Sequence, residues 1–117
     1  MSRQWFRVFA KSPQPDDWEG CIDVMIDVLL DESRRVIPGV TYFGIWGKVG
    51  NEDSAPFVLN KDGTVDFGCL VDLAEYARDS KMNIHEKIIQ TDEYFTHTKE
   101  GDEMALQIKS VTDLTWV

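Results

Sequence analysis

The sequence predicts an α+β two-layer sandwich, a mostly antiparallel sheet with two helices packed on one face, as a single domain over residues 1–117. Three observations predict it. Residues 16–34 and 68–80 set apolar side chains at helical spacing. Elsewhere apolar residues alternate, and short polar turns join them as hairpins. Amphipathic helices cannot bury their faces alone, so both should pack on the sheet.

Residues 4–10 read as a strand, with Trp5, Arg7 and Phe9 alternating against Phe6, Val8 and Ala10. Both faces carry apolar groups, which suits an interior strand. A loop with Pro13 and Pro15 follows. Residues 16–34, DDWEGCIDVMIDVLLDESR, hold seven of the 21 acidic residues. At about 100° per residue, Asp16, Glu19, Asp23, Asp27 and Asp31 form one stripe. Trp18, Cys21, Ile22, Met25, Val28 and Leu29 form the opposite one. Pro15, Asp16, Asp17 and Glu19 suit a helix start, Arg34 and Arg35 its last turn, and Pro38-Gly39 its end.

A strand is the rival reading, because Ile22, Val24, Ile26, Val28 and Leu30 alternate and are mostly β-branched. Its other face would mix Asp23, Asp27 and Asp31 with Cys21, Met25 and Leu29. The helix separates acids from apolar groups and is therefore preferred.

Residues 41–49 read as a strand in which Gly44 and Gly47 suggest a bulge or a close neighbour. Residues 50–54 form a polar turn. Residues 56–60 and 64–67 form a hairpin in which Gly63 takes the positive φ. Asn60, Asp62, Thr64 and Asp66 lack the spacing of a calcium loop. The second helix, residues 68–80, buries Leu70, Leu73, Ala74 and Ala77 and exposes Asp72, Glu75 and Asp79. Residues 84–91 read as a strand carrying Ile84, Ile88 and Ile89. Residues 94–98 and 104–111 form a last hairpin, with Met104, Leu106 and Ile108 on its buried face. Trp116 lies in a tail that should cover the core.

Function has to be argued from charge and from chemistry that is missing. Twelve basic and 21 acidic residues leave a net charge of −9. That balance repels nucleic acid and anionic membrane and favours basic partners. Cys21 and Cys69 read as buried thiols of a reducing compartment, so a cytoplasmic protein is expected. No signal peptide, membrane span, phosphate loop, zinc motif or nucleophile elbow is present, and no cofactor or metal is expected. Cys21 or Cys69 with His85 or His97 could in principle make a nucleophilic pair, but both cysteines fall on buried faces and both histidines in ordinary strand positions. Carboxylates on an exposed stripe would all ionise, which leaves no general acid. The protein is expected not to be an enzyme.

The acidic stripe is the candidate site. Asp23, Asp27 and Asp31 repeat at four-residue spacing with like charge, which costs about 0.2–0.5 kcal/mol per pair in a helix. A basic partner would recover that cost on docking. Asp16, Glu19, Asp23, Asp27 and Asp31, with Trp18 and Trp46 beside polar or Gly-rich turns, are the expected partner-binding residues.

In its small size, acidity, single α/β domain and lack of a catalytic set, the chain resembles the immunity proteins of bacterial contact-dependent-inhibition and polymorphic toxin systems. The resemblance implies a cytoplasmic antidote that covers the cleft of a basic toxin, often a nuclease. It carries no residue roles with it. Another acidic interaction module, such as a nucleic-acid mimic or adaptor, and a small enzyme are the alternatives.

Overall fold

The computed structural model describes residues 4–12, 23–47, 55–67, 80–99 and 101–114. They form eight strands: β1 (Gln4–Lys11), β2 (Asp23–Leu30), β3 (Tyr42–Gly47), β4 (Ala55–Leu59), β5 (Val65–Asp66), β6 (Lys81–Met82), β7 (Tyr94–Lys99) and β8 (Asp102–Asp113). Their order in one sheet is β5-β4-β3-β2-β1-β8-β7-β6, antiparallel at every pairing. Each strand therefore lies beside its neighbours in sequence, and β8 returns to β1. A bridge between Thr64 and Lys81 joins the two ends of the sheet. It is flanked by bonds from Val65 N to Ser80 O (2.9 Å) and from Met82 N to Gly63 O (2.8 Å). The result is a nearly closed up-and-down barrel.

This corrects the α+β expectation. Residues 23–30 are not helical; they form a central strand, paired with β1 on one side and β3 on the other. Val24, Ile26, Val28 and Leu30 point inward and are at most 1% exposed. Each such side chain gains about 1.5–3 kcal/mol relative to exposure. Residues 16–22 and the second expected helix, apart from Ser80, lie outside the described residues. Residues 84–91 are a second correction. A 3-10 turn at Ile84–Glu86 replaces the expected strand, with Ile84 and Ile89 buried and Ile88 exposed. Asn83 Oδ1 accepts from Thr96 N at 2.6 Å and anchors this turn to β7.

The other strands follow the alternation. Phe6, Val8 and Ala10 from β1, Tyr42 and Trp46 from β3, Phe57 and Leu59 from β4, Phe95 from β7, and Leu106 and Ile108 from β8 fill the interior. Gly63 takes φ +90° in the β4–β5 turn, where Asp62 Oδ1 accepts from both Thr64 N and Thr64 Oγ1. Gly44 faces inward between Ile26 and Phe57. A Cβ there would come within 2.6 Å of both the Met25 carbonyl oxygen and the Phe57 ring. Among the described residues, no helix is long and apolar enough to cross a membrane.

One polar side chain in the interior stands apart. His97 of β7 is 4% exposed, its Nε2 has no hydrogen-bond partner, and its ring lies 4.4 Å from that of Trp46. Burial pushes its pKa down from 6.5 to about 4, and the nearby Lys99 charge adds to the shift. The imidazole is thus neutral at pH 7.

Two outcomes follow from this packing. Gly44→Ala should destabilise the barrel by about 1–3 kcal/mol in urea unfolding, because neither the backbone nor the ring can step aside cheaply; an unchanged midpoint would contradict the close approach. Between pH 6.5 and about 4 the unfolded chain takes up a proton at His97 that the folded barrel refuses. Stability should therefore be highest above pH 6.5 and fall as pH drops through that window. In His97→Leu the melting temperature should be flatter there, and a slope equal to that of the parent would count against a buried neutral imidazole.

Candidate functional site

On a barrel, the residues alternating with the core face solvent. In β2 these are Asp23, Met25, Asp27 and Leu29, and the register fixes what stands beside them. Across β1, Lys11 is opposite Asp23, Arg7 opposite Asp27, Phe9 opposite Met25 and Trp5 opposite Leu29. Across β3, Ile45 is opposite Met25 and Phe43 opposite Asp27. Beyond these, Val58 and Pro56 of β4 are opposite Phe43 and Ile45.

Two of the acidic residues, Asp27 and Asp31, are answered from within the chain. Arg7 donates from Nε to Asp27 Oδ1 at 2.9 Å and from its terminal nitrogen to Asp27 Oδ2 at 3.0 Å. This fork-to-fork geometry holds the guanidinium above its usual pKa, chiefly through the hydrogen bonds to Asp27. The premise of an uncompensated stripe fails at Asp27. Asp31 turns back on its own loop, where Oδ1 accepts from Ser33 N, Ser33 Oγ and Arg35 N. These bonds, the Ser33 hydroxyl first, hold its carboxyl below the usual range. Asp23 is half-buried, with an Oδ1 that has no hydrogen-bond partner. Trp46 faces the barrel interior and is only 8% exposed. Asp16, Trp18 and Glu19 lie outside the described residues.

What surrounds the Arg7–Asp27 pair is apolar. Phe43 is 68% exposed, Trp5 43% and Ile45 37%. Met25 and Leu29 are half-buried beside them, and Pro56 is exposed. Two shallow depressions meet here and share Asp27 and Phe43. One is lined also by Arg7, Met25, Gly44 and Ile45, the other by Trp5 and Leu114. The Trp5 ring is held edge-on against Tyr42, with centroids 6.0 Å apart, so it is an anchored aromatic and not a loose one. The site is a neutral, bidentate ion pair framed by large apolar side chains on the outer face of β1–β4. It resembles the central, anchor-bearing part of protein interfaces, where aromatic residues and Arg concentrate.

Sequence reasoning reached Asp27 but missed Trp5, Phe43 and Ile45. Their signal was present: β1 and β3 both carry apolar residues on the face opposite the core, which an isolated barrel does not need. Among the described residues, no three His, Cys, Asp or Glu side chains are grouped to hold a metal ion. No protein-family model, curated protein or solved structure matches the chain.

The ion pair is exposed, with 48% of the Arg7 and 37% of the Asp27 side chain accessible. A double-mutant cycle with Arg7→Ala and Asp27→Ala should give a coupling of at most about 1 kcal/mol in folding stability. A coupling of several kcal/mol would show that the pair serves the fold and not the surface.

Proposed function

We propose that this protein acts by binding another protein through the outer face of β1–β4, and that the partner is basic, as the toxin of an immunity-type antidote would be. The observation that carries the binding reading is the exposure of Trp5, Phe43 and Ile45 around a pre-formed Arg7–Asp27 fork. Large apolar side chains gathered on one outer face cost solubility and mark interaction sites.

The charge supports the choice of partner. Strands β1, β3, β5 and β7 all end, and β2, β4, β6 and β8 all begin, at the same end of the barrel. The stretches 13–22, 48–54 and 68–79, which follow β1, β3 and β5 in the sequence, carry eight acidic and two basic residues. A net charge of −9 attracts a basic protein over a distance of about one Debye length and speeds its encounter. Apolar contact then supplies the affinity. A cytoplasmic setting, where an antidote would meet its toxin, belongs to the same proposal.

Calorimetric titration against a basic toxin domain, sought in the neighbouring reading frames, tests the reading. Tight binding that weakens with salt is expected, with Phe43→Asp lowering affinity at least 100-fold while circular dichroism stays unchanged. Affinity indifferent to Phe43→Asp would remove this face from the interface. Affinity indifferent to salt would remove the basic partner.

A further inference from the structure

We propose that the barrel interior holds a site for a soft monovalent cation, Cu(I) or its redox-inert stand-in Ag(I), built from Met82, His97 and Met104 under the Trp46 ring. The register makes the arrangement. His97 of β7 is paired with Met82 of β6 on one side and with Met104 of β8 on the other. The three residues form one cross-strand row, and directly opposed side chains in such a row start about 4.5–5.5 Å apart at Cβ. His97 and Met82 are buried, while Met104 packs against the core and remains partly accessible.

The residues present favour an ion over plain packing. The His97 Nε2 is buried without a hydrogen-bond partner, which native interiors seldom leave unexplained. Thioethers are soft donors that select Cu(I) over hard cations, and imidazole suits copper as well. The Trp46 ring, with its centroid 4.4 Å from that of the imidazole, borders the row. Partly accessible Met104 gives the ion a way in. His, Cys and carboxylate clustering does not reveal such a site, because two of its three donors are methionines.

The proposal is independent of the partner-binding face and is tested on the free protein. The 117-residue protein carrying 13C-methyl methionine is titrated with Ag(I), and anaerobically with Cu(I), while the four methionine methyl signals are followed. One equivalent should shift Met82 and Met104, leave Met1 and Met25 in place, and quench Trp fluorescence. In Met82→Leu/Met104→Leu, whose volume is conserved, affinity at this site should fall at least 100-fold with the circular dichroism spectrum retained. Metal taken up without shifts at Met82 and Met104, as it would be by the thiols of Cys21 and Cys69, overturns the proposal. So does quenching of the same size in the Leu double variant, or the absence of saturable binding. If the double variant fails to fold, the shifts in the parent protein still decide.

Discussion

An eight-stranded sheet closed on itself encloses a space just wide enough for the inward side chains of its own strands. That constraint governs this molecule. Every second residue of β1, β2, β3 and β4 must be apolar and must fit, which is why Val24, Ile26 and Val28 are β-branched and why Gly44 yields its place to the Phe57 ring. It also explains why His97 is conspicuous. A ring nitrogen buried in that space is cut off from bulk solvent, and its pKa falls accordingly.

The same constraint frees the outer face. With the core filled from inside, Trp5, Phe43 and Ile45 keep much of their surface exposed, and the Arg7–Asp27 fork between them adds little stability at its exposure. In the proposed function, bulk charge and apolar face would divide the work of recognition: long-range attraction would come from acids distributed over the chain, and close contact would fall on a patch whose own charges cancel. A docking face that is locally neutral avoids the desolvation cost of burying unpaired carboxylates.

Much of the sheet was legible in the sequence. Strand β1, strand β3, the turn at Gly63 and the β7–β8 hairpin all follow from alternation and turn chemistry, since those signals are local. Strand β2 was not legible. Its outward row mixes Asp23 and Asp27 with Met25 and Leu29, and helical periodicity sorts such a mixture neatly. What makes the mixture sensible lies on other strands: Lys11, Arg7 and Phe9 on β1, and Phe43 and Ile45 on β3. A periodicity within one segment cannot report partners 12 to 20 residues away. The feature that argued against a strand is thus the feature that makes the candidate site. Residues 84–91 failed for a related reason: the turn begins where the Asn83 side chain is tied to Thr96 of β7, a contact that no apolar pattern records.

The account stands on the register of β2 between β1 and β3, and nuclear Overhauser contacts measure it directly. The fold requires cross-strand contacts between the backbones of Phe9 and Met25, Arg7 and Asp27, and Met25 and Ile45. Strong sequential amide–amide contacts from Asp23 to Leu30, with none to β1 or β3, would instead restore the helix and dissolve both the barrel and the site on its outer face.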